Sequence, residues 1–214
     1  MKIHYDIEQG TPEWHELRWG KIGGTRGNGL FVKSDTLAIE IVAEECEPYQ
    51  DEGGFLSSDM QRGNELEPVA RERLEEYLGV KFLQAGWISS DIPRVGISPD
   101  GITEDETIQC EIKCPGKKKH TEYALGGIVP KDHIHQCIHA FLVNPKLEKL
   151  YFCSFRPESV KPMFVVELTR ESEVNVGTVA RPKVFSIADL VAEGIEHAGI
   201  LNKDIDRMKS ELEF

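Results

Sequence analysis

The segment Ser98-Pro99-Asp100-Gly101, followed at hairpin distance by Cys110-Glu111-Ile112-Lys113-Cys114, constrains this chain more than any other. Side chains alternate across a strand, so Glu111 and Lys113 share one face while Cys110, Ile112 and Cys114 line the other, apolar face. Asp100 ends a strand over 94–98. An acidic turn at Thr103-Glu104-Asp105-Glu106 then returns the chain along a strand over 107–114 and sets Asp100 beside Glu111. Two carboxylates and one ammonium meet at one end of a sheet. A bare Glu-x-Lys pair is common on exposed strands; the Pro-Asp element and the apolar opposite face distinguish this one.

The rest of the chain supplies the layers around that hairpin. Thr11 caps and Pro12 opens a short helix that runs to about Arg18 and is broken by Gly20, Gly23 and Gly24. A second helix covers 35–46, and a loop rich in Pro, Gly and charge covers 47–54. Leu66, Val69, Ala70, Leu74, Tyr77 and Leu78 recur at helical spacing, predicting a helix over 65–78 that Gly79 stops. Strands at 80–88, 149–155 and 162–168, a helix at about 131–143 and a helix from about 186 to 211 complete the pattern. Ser186 and Asp189 form a capping box for the last helix. No internal repeat or low-complexity tract divides the chain. The reading is one α/β domain over 1–214, with a central mixed sheet flanked by helices.

Length and composition narrow the class further. A chain of 214 residues buries roughly 70% of its unfolded surface, enough for a core without staples. The five cysteines are odd in number and lack a CxxC pair, which reads as reduced thiols in the cytoplasm. Their spacing is too wide for a four-cysteine iron–sulfur cluster. No run of 18 apolar residues exists to span a membrane, and Met1-Lys2-Ile3-His4-Tyr5-Asp6 lacks the apolar core of a secretory signal. The net charge of −12 argues against a non-specific coat on nucleic acid. It leaves room for a local basic groove, or for a metal-bridged phosphate site in which acidic residues are the ligands.

The trio has a definite chemistry. Mg²⁺ takes near-octahedral oxygen ligands, keeps several waters and is usually held by one or two carboxylates. Asp100, Glu111 and the carbonyl of Ile112 supply such oxygens. An ion there acidifies water and neutralises charge on a phosphodiester. Lys113 orients the attacking water or stabilises negative charge in the transition state. Elsewhere, Trp14 and Arg18 share a face of the first helix at i,i+4 spacing, either as a binding pair or as a core tryptophan with a snorkelling arginine. Lys117-Lys118-Lys119 follows the catalytic strand and reads as a contact for DNA backbone rather than a merely solvated charge run. His135 and His139 are also spaced i,i+4, but neither a third ligand nor a metalloprotease Glu accompanies them, so they read as ordinary histidines. Leu201, Ile205, Met208 and Leu212 form an apolar stripe that covers either a partner or this chain's own core.

These residues resemble the PD-(D/E)xK nuclease superfamily and, within it, the phage lambda exonuclease (YqaJ-type viral recombinase) family. The resemblance runs from about residue 8 to 170. It is carried by Gln9-Gly10-Thr11-Pro12-Glu13-Trp14-His15-Glu16-Leu17-Arg18, Arg62-Gly63-Asn64-Glu65-Leu66-Glu67-Pro68-Val69-Ala70, Ser98-Pro99-Asp100-Gly101 and Glu111-Ile112-Lys113-Cys114-Pro115. His133-Ile134-His135-Gln136-Cys137 adds a weaker block.

The resemblance implies a restriction-endonuclease-like fold and a Mg²⁺-dependent 5′-to-3′ exodeoxyribonuclease acting on linear double-stranded DNA. It implies release of mononucleotides, a 3′ single-stranded tail for annealing-type recombination, and two ions per site with Mn²⁺ as a substitute. Glu67, four residues after Gly63, joins Asp100, Glu111 and Lys113 in the catalytic set, with Glu65 as the fallback. Gln136 matches a family glutamine near the site, although Ile138 stands where a second glutamine often follows. Arg18, Thr25 and Trp14 are implied to bind the terminal 5′-phosphate. A homotrimeric ring around DNA, a single-strand annealing protein as partner, and the cytoplasm of a bacterial or phage-infected cell are implied as well. The ring accommodates the net charge, because only its channel need be electropositive. Two alternatives stand beside this reading: a site-specific endonuclease on the same core, against which the Trp14–Arg18 block speaks, and a non-enzymatic DNA-end-binding protein, in which loss of Asp100, Glu111 or Lys113 is expected.

Overall fold

Capping chemistry sets several of the element boundaries. The computed structural model describes residues 1–31, 35–50, 57–178 and 180–212. After a short strand β1 (Lys2–His4), the Thr11 hydroxyl accepts the Trp14 N–H and Pro12 opens helix α1 (Pro12–Arg18). A 3₁₀ helix (Arg26–Leu30) and helix α2 (Asp35–Cys46) follow, the latter with the bounds expected from sequence. Positions 51–54 of the expected loop lie outside the described residues.

Helix α3 (Ser58–Leu78) starts seven residues before the expected 65. Ser57 caps it, and Gly63 lies inside it, as does Pro68, which the expected helix already contained. Pro68 removes one helical N–H, yet tertiary packing of Ala70 and Leu74 holds the helix together. Val69 and Tyr77, expected on the apolar face, are exposed.

Next come β2 (Trp87–Ser89), β3 (Gly96–Ile97), β4 (Gly101–Ile102) and β5 (Ile108–Lys113). Helices α4 (Lys117–Gly126) and α5 (Lys131–Val143) lead into β6 (Lys149–Phe155) and β7 (Met163–Leu168). The hairpin β8 (Glu173–Asn175) and β9 (Val184–Ser186) precedes the long helix α6 (Ile187–Leu212). The strand expected over 80–88 reduces to β2 and one bridge from Leu83 to Ile102. In the capping box of α6, Ser186 Oγ lies 2.7 Å from Asp189 Oδ2 and accepts the Asp189 N–H at 3.1 Å.

The strands form a central mixed sheet ordered β4-β5-β6-β7, a three-stranded sheet β1-β2-β3 and the β8–β9 hairpin. β5 runs parallel to β6, with Glu111 opposite Phe152 and Lys113 opposite Ser154, and antiparallel to β4. The expected pairing of 94–98 with 107–114 is corrected here: β3 pairs with β2, and the hairpin partner of β5 is β4. Pro99, which has no N–H and a fixed φ, interrupts the ladder between Ile97 and Gly101, so the chain leaves one sheet and enters the other there. Asp100 therefore sits in the break between two strands rather than at the end of one.

Two cores flank the central sheet. Ala70, Leu74 and Phe82 pack against Cys110, Ile112 and Cys153, the apolar face read from the alternation. The larger core joins α2, α5 and α6, including Ile41, Ile138, Phe141, Ala198 and Ile205. Ile205 is fully buried, Leu201 and Met208 pack against this core, and Leu212 is exposed. The C-terminal stripe thus covers the chain's own core over most of its length. All five cysteines are free. Among the described residues no helix is long and apolar enough to cross a membrane.

Candidate active site

β4 pairs with β5 only as far as Gly101–Cys110, so the same edge of β5 is unpaired by strand at Ile112. Asp100 fills that gap: its Oδ2 accepts the Ile112 N–H at 2.6 Å. In a pleated strand the N–H and C=O of one residue point to the same side. The Ile112 carbonyl therefore faces the edge that Asp100 occupies.

Glu111 lies on the opposite face of β5 from the α3 core and is only 2% exposed. Its Oε1 is buried and is held by the Lys113 ammonium. Glu67 enters from α3, where Arg71 holds it. Arg71 Nη2 donates to Glu67 Oε1 at 2.5 Å, and Arg71 Nε donates to the Asp100 carbonyl at 2.6 Å. One buried guanidinium thus fixes the positions of two acidic residues. Glu65, the fallback, is exposed and accepts from Gln61 at 2.8 Å, whereas Glu67 lines the cleft with Asp100.

The electrostatics follow from that crowding. Burial, and then Asp100 beside it, raises the Glu67 pKa against the pull of Arg71. Burial also raises Asp100, opposed by Lys113, the Ile112 N–H and Arg71. Burial pushes Glu111 up to about 7 despite Lys113, with Asp100 and Glu67 adding to the rise. Burial works against the Lys113 ammonium, but Glu111 and Asp100 hold it protonated, with its pKa raised. Three carboxyls crowd around one ammonium and one guanidinium, and burial raises the pKa of each carboxyl. Among the described residues no three His, Cys, Asp or Glu side chains are arranged to hold a metal ion by themselves.

Three neighbouring clefts share lining residues around this cluster. The first, about 380 Å³, is lined by Glu67, Asp100, Ile112, Lys113, Lys119 and His133, among others. The second, about 790 Å³, shares Lys113 and His133 and adds Gln136, Asn28 and Thr25. The third, about 350 Å³, shares Thr25 and contains Arg18, Lys21 and Arg26. Arg18, Thr25, Gln136, Lys113 and Asp100 thus line a row of adjoining clefts. A Cβ at Gly24 would meet Gln136 Cγ at 3.2 Å, so the glycine permits close approach of the two groove walls.

Trp14 lies beneath the groove rather than in its lining. Its ring carries the Arg18 guanidinium 3.9 Å from its centroid, a cation–π contact. Arg18 Nε is buried without a hydrogen bond, and no carboxylate pairs with Arg18 among the described residues. Burial, with Arg26 nearby, lowers its pKa. Arg26 is instead committed to Glu44.

The lysine run forms the first turn of α4, an element the sequence reading missed. Lys119 lines the cleft, Lys118 lies 3.8 Å from Glu122, and Lys117 is exposed. That turn has no acidic residue and Gly116 gives it no side-chain cap, so three cations stand at a helix end that repels them. The structure separates the two remaining histidines. His139 is buried with Nε2 on the Gly96 carbonyl at 2.9 Å, while His135 stacks on Phe31. Two site residues were not singled out from sequence: Arg71, and His133, which lines two clefts and meets the Tyr123 hydroxyl at 3.2 Å.

A Pro-Asp turn docked on a Glu-x-Lys strand inside a mixed α/β fold defines a core of the PD-(D/E)xK type. Residues 13–145 match the YqaJ-like viral recombinase domain, and the chain belongs to that family. Among solved structures, an alkaline exonuclease (LHK-Exo) from Laribacter hongkongensis shares the fold with a TM-score of 0.75 and 24% identity, over 94% of this chain and 96% of that one. The same exonuclease in complex with dAMP gives a TM-score of 0.72 at 24% identity, over 94% and 98%. A phage-related exonuclease from Haemophilus somnus 129PT gives 0.54 at 13% identity, over 90% and 96%. No curated protein matches the sequence.

Proposed function

We propose that this protein is a metal-dependent 5′-to-3′ exodeoxyribonuclease on linear double-stranded DNA, releasing mononucleotides and leaving a 3′ single-stranded tail. The single observation that carries the reading is the row of neighbouring clefts, sharing lining residues, that runs from Arg18, which has no carboxylate partner among the described residues, to Lys113 and Asp100. An end-reading cation and a hydrolytic centre on one path suit removal of nucleotides from a terminus. Membership of a viral recombinase family supports a nuclease, as does the fold shared with two exonucleases.

The donor set fits Mg²⁺, with Mn²⁺ as a substitute. Asp100, Glu111 and the Ile112 carbonyl are hard oxygen donors, and Asp100 and Ile112 line the same cleft. A cation here would favour the ionised forms of these buried carboxyls, and Glu67 would serve a second ion. The chemistry such ions supply, when bound, is neutralisation of phosphodiester charge and acidification of water.

The chain's own groups do the rest. Lys113 donates to the attacking water or to the developing oxyanion. Gln136 hydrogen-bonds DNA in the groove beside Lys113. Arg18 grips the terminal phosphate with Thr25 opposite, and Trp14 holds the guanidinium in place. The three lysines at the start of α4 supply backbone contacts, and the positive end of that helix adds to their pull on phosphate. We further propose a homotrimeric ring working with a single-strand annealing protein in the cytoplasm of a bacterial or phage-infected cell.

The test is digestion of linear, nicked and covalently closed duplex DNA with and without Mg²⁺, using separate 5′ and 3′ labels. Early release of the 5′ label from linear DNA alone, only with the metal, is the expected result. Cleavage of closed circles supports the endonuclease instead, and end binding without any release supports the non-enzymatic protein. Sedimentation equilibrium checks the trimer.

A further inference from the structure

The turn that carries Asp100 has no ladder of its own. Sheet bonds stop at Ile97 and resume at Gly101, and Pro99 contributes no N–H. Side chains from the N-terminal block replace the ladder. Gln9 Nε2 donates to the Pro99 carbonyl and to the Ala85 carbonyl, each at 2.9 Å. Trp14 Nε1 donates to Ser98 Oγ and to the Gly86 carbonyl, each at 2.9 Å, and Ser98 Oγ donates to that Gly86 carbonyl at 2.7 Å. The clasp ties the turn to 85–86 at two successive residues.

The Pro99 carbonyl belongs to the planar peptide whose other half is the Asp100 N–H. Fixing its oxygen fixes the orientation from which the Asp100 side chain leaves the backbone. Arg71 holds the next carbonyl, that of Asp100 itself, at 2.6 Å. With both flanking peptides pinned, the carboxylate is delivered to the Ile112 N–H without help from a neighbouring strand.

Resting on the metal-dependent reading above, we infer that Gln9 is a positioning residue: through the Pro99 carbonyl its amide sets Asp100 for ion binding. Trp14 and Ser98 form the second point of the same clasp. Gln9 lines none of the three clefts, so it acts through Asp100 and not on DNA.

The test compares wild type with Gln9→Met, which keeps the length and loses the donor, and with Gln9→Glu, which places an acceptor against two carbonyls. Binding of Mn²⁺ to the DNA-free protein is measured by titration calorimetry, beside the Mg²⁺ dependence of cleavage and KM for duplex ends. Gln9→Met should weaken Mn²⁺ binding about fivefold, the size of one net hydrogen bond. The Mg²⁺ needed for half-maximal cleavage should rise by a similar factor with KM for DNA unchanged, and Gln9→Glu should do at least as much. Should Gln9→Met fail to fold, Ser98→Ala should show the same weakening. Wild-type Mn²⁺ affinity in folded Gln9→Met, with or without a lower Tm, overturns the inference while leaving the proposed function intact. A wild-type protein that binds no Mn²⁺ and cleaves nothing overturns the proposed function, and the inference falls with it.

Discussion

The Asp100 carboxylate accepts the Ile112 N–H at 2.6 Å, taking the place that a paired strand would hold on that edge of β5. The same side chain is therefore both a structural plug and a candidate ligand, and two substitutions separate those roles. Asp100→Asn keeps an oxygen acceptor for the N–H and loses the charge. Asp100→Ala loses both. Each should abolish cleavage while leaving DNA-end binding, but only Asp100→Ala should lower Tm, by the loss of a charge-assisted hydrogen bond of about 1.5–3 kcal/mol. Turnover by Asp100→Asn at the wild-type rate would show that the carboxylate charge is not needed.

Lys113 gives the next prediction. Its ammonium is held against buried Glu111, so Lys113→Ala removes charge stabilisation in the reaction and leaves a buried carboxylate without its partner. Cleavage should fall by about two to three orders of magnitude in kcat, the usual worth of one such donor, with KM for DNA nearly unchanged. Lys113→Arg keeps the charge but not the compact shape, and should recover only part of the rate. A Lys113→Ala enzyme with kcat intact and only KM raised would make Lys113 a binding residue.

How much of this was legible follows the distance between partners along the chain. Asp100, Glu111 and Lys113 lie within one hairpin, and strand alternation alone put Glu111 and Lys113 opposite the apolar face that packs on Ala70 and Leu74. Trp14 and Arg18 were readable because i,i+4 spacing fixes a shared helical face. Arg71 was not, because its role depends on a carbonyl 29 residues away. The start of α3 was misplaced because the apolar helical spacing begins only at Leu66, and Gly63 weakens a helix locally before it. The helix α4 went unread because only His120 and Tyr123 mark its buried side. Strands β1, β8 and β9, three residues each, are too short for alternation to register.

His139 sets a pH dependence of stability away from the cleft. It is fully buried, with Nε2 on the Gly96 carbonyl at 2.9 Å and Gly27 packed against its ring. Burial lowers its pKa below the ordinary 6.5. A histidine that is harder to protonate in the fold than in the unfolded chain favours folding fully above about pH 6.5, and that contribution is lost as pH falls below it. His139→Gln has no such titration. Urea midpoints taken from pH 7.5 to 5.0 should therefore fall more steeply for wild type than for His139→Gln. Parallel slopes would mean that His139 titrates normally in the fold.

Arg18 gives the prediction on which end recognition rests. A terminal phosphate monoester carries more charge than an internal diester, and a fixed guanidinium distinguishes the two. The Arg18 guanidinium is fixed on the face of Trp14, its Nε is buried without a hydrogen bond, and the nearby carboxylate of Glu44 is taken by Arg26. Linear duplex with a 5′-phosphate should be digested faster than the same duplex with a 5′-hydroxyl. Arg18→Ala should remove most of that difference, because it deletes the group that reads the phosphate. Arg18→Lys should restore only part, since an ammonium neither reproduces the bidentate fork nor stacks as well on the indole. Trp14→Leu should weaken the preference while leaving the charge in place, because the platform under the guanidinium is gone. The measurement is the ratio of initial rates on the two duplexes for the four proteins. Equal rates on both ends in wild type, or a full preference retained by Arg18→Ala, would make Arg18 a structural residue and move end recognition elsewhere in the groove.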